Sequence, residues 1–297
     1  MSETRVLNFG SLNLDYVYQV DHFVRPGETL SAASRTLKLG GKGLNQSIAL
    51  ARAGANVAHA GCIGAGGEPL KALLERDGVD TSRLLSVGEM QGHTVIQVNP
   101  DGENCILLYG GSNQCVTPGQ IAATLADCSA GDWLVLQNEI NNLPAIVDAA
   151  HERGMTIALN PSPCDSKLDD VDFGKLSWLL VNEVEAGQLS GIDDPQAAWE
   201  WLHARHPKLS VLITLGAAGS MAFTPDGQCV KQEAFRVKAV DTTAAGDTFT
   251  GYFISGLIAG MPLKECMHRA SRASSISVTR LGAADSIPYS AELEAAD

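Results

Sequence analysis

Four short apolar runs in the second half of the chain constrain its fold most: Trp133-Leu134-Val135-Leu136, Met155-Thr156-Ile157-Ala158-Leu159, Trp178-Leu179-Leu180-Val181 and Val211-Leu212-Ile213-Thr214-Leu215. A strand wetted on one face alternates apolar and polar residues, whereas a near-continuous apolar run must be covered on both faces. Segments of helical pattern, including 144–153 and 195–206, lie between these runs. Strand and helix in alternation predict an α/β, doubly wound, mostly parallel central sheet with helices on both faces. Ligands of such sheets bind beyond the carboxyl ends of the strands. Polar residues follow each run there: Gln137-Asn138-Glu139, Asn160-Pro161, Asn182-Glu183-Val184-Glu185 and Gly216-Ala217-Ala218-Gly219-Ser220. A helix cap accounts for any one of these. Together they mark a crevice.

The first half repeats the pattern and interrupts it once. Arg5-Val6-Leu7-Asn8-Phe9-Gly10 reads as a strand that delivers Asn13 and Asp15 just beyond its end. An Asn-x-Asp pair can bond vicinal hydroxyls as donor and acceptor, or form an Asx-turn. Leu39-Gly40-Gly41-Lys42-Gly43-Leu44-Asn45-Gln46 leads into an alanine-rich helix over Ser47 to Ala55. It is not a phosphate-binding P-loop, because Gly43 follows Lys42 where Ser or Thr belongs. Gly64-Ala65-Gly66-Gly67 likewise fails as a dinucleotide fingerprint, with Pro69 in the third glycine position. The interruption is Thr94-Val95-Ile96-Gln97-Val98 and Cys105-Ile106-Leu107-Leu108-Tyr109 around Asn99-Pro100-Asp101-Gly102-Glu103, a hairpin signal. With a short strand at Tyr16 to Val20 it predicts a small antiparallel β lid, from segments 14–38 and 92–112, projecting from a single domain over 1–297. Such a sheet exposes an apolar face, so it is expected to cover a substrate, a second copy of the chain, or both.

A net charge of −13 argues against nucleic acid or an anionic membrane surface as partner. Met1-Ser2-Glu3-Thr4-Arg5 lacks the basic and apolar regions of a secretory signal, and no apolar run is long enough to span a bilayer. The seven cysteines and seven histidines show neither C-x-x-C nor H-E-x-x-H spacing. These features predict a cytoplasmic protein whose cysteines are mostly buried small hydrophobes.

Val240-Asp241-Thr242-Thr243-Ala244-Ala245-Gly246-Asp247-Thr248-Phe249 carries the chemistry. Small residues lead to one carboxylate and then to an apolar helical run through Ile258. The first N–H groups of a helix lack intrahelical partners and the dipole adds positive potential, so such a start can hold an anion. Asp247 beside that anion suits phosphoryl transfer, where an aspartate positions the attacking hydroxyl and accepts its proton. An N-capping aspartate after a loop is the plainer alternative.

In these motifs, their order and their separation, the sequence resembles the ribokinase-like (pfkB) carbohydrate kinases from about Asn8 to Pro288. The resemblance rests on Gly40 to Gln46, Asp241 to Phe249, Asn182-Glu183-Val184-Glu185 and Val278 to Ser286. It implies ATP-dependent phosphorylation of a pentose's primary hydroxyl, most closely D-ribose to D-ribose 5-phosphate, with Asp247 as base and Ala244-Ala245-Gly246 as anion hole. It places Asn13, Asp15, Gly40, Gly41, Lys42, Asn45 and Glu139 on the sugar. Asn182, Thr214, Gly216, Gly219, Ala245, Gly246 and Ser271 fall on nucleotide positions, and Glu185 reaches Mg2+ through water. Asp241, Thr243, Ser277, Arg280, Gly282 and Ser286 fall on positions for a monovalent cation, K+, several through main-chain carbonyls. The apolar face of the lid strands, buried against a second copy, is expected to give a homodimer through the β lid. The alternatives are a kinase of the same family for 2-deoxyribose, a ketohexose or a nucleoside, and a non-catalytic sugar sensor. A sensor is expected to have lost Asp247 or the glycine before it, and both are present. A nicotinamide-dependent oxidoreductase would need the missing fingerprint.

Overall fold

The computed structural model describes residues 4–294; the reading of Met1-Ser2-Glu3 lies outside them. Thirteen strands are described: β1 (Arg5–Phe9), β2 (Asn13–Gln19), β3 (Ser34–Gly40), β4 (Asn56–Ala65), β5 (Asp80–Met90), β6 (His93–Val98), β7 (Asn104–Tyr109), β8 (Trp133–Gln137), β9 (Thr156–Asn160), β10 (Trp178–Asn182), β11 (Ser210–Thr214), β12 (Ser220–Phe223) and β13 (Cys229–Gln232). The helices are α1 (Lys42–Arg52), α2 (Glu68–Arg76), α3 (Pro118–Thr124), α4 (Leu143–Glu152), α5 (Glu183–Ser190), α6 (Pro195–Arg205), α7 (Ala245–Ile258), α8 (Leu263–Ser277) and α9 (Ser290–Glu294).

Nine strands form one sheet in the order β13-β12-β11-β10-β9-β8-β1-β4-β5. All pairings from β5 to β11 are parallel, and β12 and β13 continue the edge antiparallel. The continuous apolar runs divide residue by residue between two cores. Leu134, Leu136, Ile157, Leu159, Leu179, Val181, Val211 and Ile213 face α3 to α6. The residues between them, Val135, Ala158, Leu180 and Leu212, face α1, α2, α7 and α8. Each large side chain fully buried this way contributes about 1.5–3 kcal/mol. The doubly wound architecture follows from that two-sided burial.

A second sheet, in the order β3-β2-β6-β7, makes the lid. The β2–β3 and β6–β7 pairings are antiparallel, and β2–β6 is parallel, Tyr16 standing opposite Val95. Hairpin and strand fall where the pattern placed them, but β2 begins at Asn13, so Asn13 and Asp15 sit within it rather than in a turn.

Helix α1 begins at Lys42, five residues before the expected start. Gly41 caps it at φ 95°, in the left-handed region that glycine tolerates. Gly43 lies so close to β1's end that a Cβ would come within 2.3 Å of Ser11 N. Asn45 and Gln46 therefore belong to the helix and not to a loop. Helix α7 packs on α1 just as closely, a Cβ on Gly251 meeting Ala49 Cβ at 2.4 Å. Gly251 lies one turn after Asp247, and Ala49 one turn after Asn45. The small pair thereby brings the N-terminal turns of the two helices together.

Candidate active site

Asp247 is buried in the first turn of α7, and both its oxygens are held by amides from α1. Asn45 Nδ2 donates to Oδ2 and Gln46 Nε2 to Oδ1, each at 2.9 Å. Ala244, the N-cap, takes the left-handed conformation (φ 60°), uncommon outside glycine. The ladder of α7 starts with Thr248 N–H on the Ala244 carbonyl (2.8 Å). The anion hole is expected at Ala244-Ala245-Gly246, and the N–H groups there are not alike. Ala245 N–H is turned to the Thr242 carbonyl (3.2 Å), whereas those of Gly246 and Asp247 have no partner among the described residues. Helix geometry leaves such groups orphaned, and no sequence spacing shows which one a preceding turn captures.

Two cavities join here, and a third lies apart from them. One of about 250 Å³ is lined by Lys42, Asn160, Asn182, Glu185, Thr242 and the residues from Ala244 to Asp247. A second, of about 350 Å³, shares Thr214, Thr242, Ala245 and Gly246 with it and adds Gly216, Gly219, Phe235, Val237, Phe249 and Ser271. Its apolar walls suit a flat ring. At Gly219 (φ 103°) a Cβ would lie 2.0 Å from Gln232 O, so only glycine lets that turn close on β13. The third, of about 270 Å³, lies under the lid against Asn13, Leu108, Gly110, Asn113, Asn138 and Glu139.

The polar residues of the lid side are pre-aimed. Asn113, which sequence reading missed, donates from Nδ2 to Asn13 Oδ1 (2.7 Å), so Asn13 is left to present its amide N–H group. Thr94, also missed, donates to Asp15 Oδ1 (2.6 Å). Burial pushes the Asp15 carboxyl above the usual range, and nearby Glu139 adds to that; Thr94 and Lys38 oppose it. Gly40 packs on Asp15, where a Cβ would sit 2.2 Å from Oδ2. Glu139 Oε2 accepts from Ser11 Oγ and from Lys42 N (3.1 Å). Burial raises its pKa too, with Lys42 countering. Burial alone would lower the Lys42 ammonium; the charges of Asp247, Glu139 and Glu185 outweigh it and raise it. Asn45, having given Nδ2 to Asp247, keeps a buried Oδ1 without a partner. That acceptor suits a ligand hydroxyl.

Asn182 caps α5 and bonds Glu185 reciprocally: Glu185 N to Asn182 Oδ1 at 2.8 Å, Asn182 N to Glu185 Oε2 at 3.0 Å. The loop before α7 is sewn to the segment after α8, with the Val240 and Asp241 N–H groups on Val278 O (2.7 and 3.2 Å) and Gly282 N on Asp241 Oδ2 (3.0 Å). Thr243 bonds Asp241 Oδ1 through both N (2.9 Å) and Oγ1 (2.6 Å). Burial pushes the Asp241 carboxyl up, but these donors and Lys38 bring it below the usual range. Ser277 and Ser286 turn their hydroxyls to Ser274 O (2.9 Å) and Ala283 O (2.7 Å). Arg280 reaches Glu292. The Arg280 side chain therefore offers an ion nothing but its main-chain oxygen, while Ser277 and Ser286 keep hydroxyl lone pairs as well as their carbonyls.

Known proteins resemble this chain in sequence and fold. Residues 3–289 match the pfkB family of carbohydrate kinases. Ribokinase of Haemophilus influenzae is 36% identical over 288 residues, covering 94% of each chain. The Cryptococcus neoformans ribokinase structure with ADP superposes with a TM-score of 0.87 at 34% identity, over 99% of this chain and 100% of that one. Arabidopsis thaliana ribokinase, solved with ribose and ATP, gives 0.88 at 26% identity, over 99% and 98%. Fold and sequence agree, and the chain belongs to the pfkB family of carbohydrate kinases.

Proposed function

We propose that this chain is an ATP-dependent sugar kinase that phosphorylates the primary hydroxyl of a pentose, converting D-ribose to D-ribose 5-phosphate. Asp247 carries this reading: a carboxylate held on both oxygens between a pocket of hydroxyl partners and two joined cavities of phosphate and nucleotide character. Family membership and the ribose, ATP and ADP bound to its relatives support the same reading.

The sugar lies under the lid, with Asn13 donating, Asp15 accepting, and Asn45 Oδ1 and Glu139 taking further hydroxyls. Its primary hydroxyl rests on Asp247. As that oxygen bonds the γ-phosphorus, its proton passes to Asp247 and the bond to the β-phosphate oxygen breaks, releasing ADP. Holding these groups in line is the main service, since phosphoryl transfer asks little covalent chemistry of the protein. The Gly246 and Asp247 N–H groups and Lys42 receive the charge of the transferring group. Asn182, Thr214, Gly216, Gly219 and Ser271 line the nucleotide's path.

Among the described residues no three His, Cys, Asp or Glu side chains gather to hold a metal. A lone Glu185 in the phosphate cavity fits Mg2+ that arrives on phosphate oxygens and keeps its waters, one of them reached by Glu185. Asp241 with nearby main-chain oxygens at 243, 277, 280, 282 and 286 is an oxygen-only donor set that fits K+. Such an ion would order the loop that precedes the anion hole. The chain works as one kinase domain with an inserted lid, as a cytoplasmic homodimer with no nucleic acid or membrane partner. No helix among the described residues is long and apolar enough to cross a membrane.

The test is ATP turnover with Mg2+ and K+ across D-ribose, 2-deoxyribose, fructose and nucleosides. A clear ribose preference is expected. Strong turnover of a different acceptor alone would keep the kinase and overturn the sugar. Asp247→Asn is expected to keep sugar and nucleotide binding and lose turnover by two to four orders of magnitude. Near-normal turnover in that variant would take Asp247 out of the base role.

A further inference from the structure

Behind Asp247, away from every cavity, runs a chain of wholly buried polar side chains: Gln46, Gln137, Asn8, Ser47 and His59. Gln137 Nε2 bonds both Gln46 Oε1 (2.7 Å) and Asn8 Oδ1 (2.9 Å). Asn8 Nδ2 bonds Gly43 O and Ser47 Oγ, each at 2.7 Å. Ser47 Oγ meets His59 Nδ1 at 2.8 Å. The direction of each amide bond is dictated from one end. An ionised carboxylate only accepts, so Gln46 must turn its NH2 to Asp247 and its oxygen away. Gln137 must then spend both amide hydrogens, on Gln46 and on Asn8. Asn8, accepting with Oδ1, must spend both of its own on Gly43 and Ser47. Ser47 then keeps one hydrogen and one lone pair for His59, which can meet it through either neutral tautomer. Burial lowers the His59 pKa to about 4, in keeping with that end of the chain.

We propose that Gln46 is a positioning residue for phosphoryl transfer: it fixes the orientation of the Asp247 carboxylate, and Gln137, anchored on Asn8, holds the Gln46 amide in place. This rests on the assignment of Asp247 as base. Gln46 lines none of the three cavities, so it acts on the proton acceptor and not on the sugar or the nucleotide. The charged groups that also face Asp247 are Lys42 on α1, Glu139 after β8 and Glu185 on α5, and none belongs to this chain. A hydrogen bond donated to a carboxylate favours its charged form. Its loss should therefore show in the pH profile as well as in the rate.

Steady-state kinetics with D-ribose and ATP from pH 5 to 9, on Gln46→Leu, Gln137→Met and the double variant, test this. Thermal unfolding and ATP binding check the fold of each. For Gln46→Leu, kcat is expected to fall at least tenfold, KM for ribose to stay within twofold, and the acid limb of the kcat profile to move to higher pH. Gln137→Met touches neither Asp247 nor a cavity and is expected to reproduce the direction of both changes more weakly, which keeps the test open should Gln46→Leu not fold. Because the two act through one chain, the double variant should be no worse than Gln46→Leu alone. Additive losses, an unmoved acid limb, or a loss confined to KM would each overturn the proposal. Asp247→Asn separates the two levels: if it stays active, the base assignment fails. If it is dead while Gln46→Leu keeps wild-type kcat and acid limb, only the positioning role fails.

Discussion

His59 is the histidine whose protonation the fold resists. Wholly buried beside Ser47, it is pushed down to about pKa 4 by burial, from an ordinary value near 6.5. A depressed basic group is protonated more readily in the unfolded chain, so its contribution to stability is complete above about pH 6.5. It is lost as pH falls toward 4. That interval corresponds to about 3 kcal/mol. Urea unfolding at pH 7 and pH 4 should show a loss of this size that His59→Gln largely removes; equal pH dependence in both proteins would refute it. The single-letter pattern carried the outer layer of the site but not this inner one. Asn13, Asp15, Asn45, Glu139 and Asp247 announced themselves as polar residues in glycine-rich or strand-end contexts. Gln46 and Asn113 stand in the same stretches, yet what they do depends on which way an amide faces. Burial and neighbours set that direction, and spacing does not.

At the scale of elements, α1 and the lid matter most. Two-sided burial made the parallel strands legible, because it leaves a continuous apolar signature. The start of α1 was not legible, since Gly40 to Gly43 look like a loop until Gly41 is seen capping the helix at positive φ. The edge strands β12 and β13, four residues each, are too short to carry much periodic signal and take their structure from what they pack on. Strand β7 is exposed along its length, with Ile106, Leu107, Leu108 and Tyr109 at 47–71%. Leu37 on β3 is also exposed. Apolar surface of this extent, on a sheet with unpaired edges, calls for a cover. Sedimentation at micromolar concentration should give twice the chain mass, and Ile106→Asp with Leu107→Glu should give single chains. A wild-type monomer would remove the lid as an assembly surface.

On the scale of the molecule, an acidic protein receives an anionic nucleotide. Net charge is −13, yet the first cavity is lined by Lys42 and by the N–H groups at the head of α7. Those short-range dipoles and one buried cation act inside a cavity where the distant surface charge is screened.

The parallel pairing of β2 with β6 sets an order of assembly. Parallel neighbours cannot be joined by a tight turn, and here the chain between them travels through α1, β4, α2 and β5 in the main body. The lid is thus a product of the central sheet: until β1, β4 and β5 align, nothing holds β2 and β6 within bonding distance. Its loop closure, the longer of the two kinds in this fold, comes late. Pulse-labelled hydrogen exchange during refolding should therefore protect amides of β1 and β8 before those of β2 and β6. The reverse order would mean that the lid templates itself. In the expected order, the sugar pocket is the last part of the protein to exist, and a chain still folding can hold a nucleotide before it can hold a sugar.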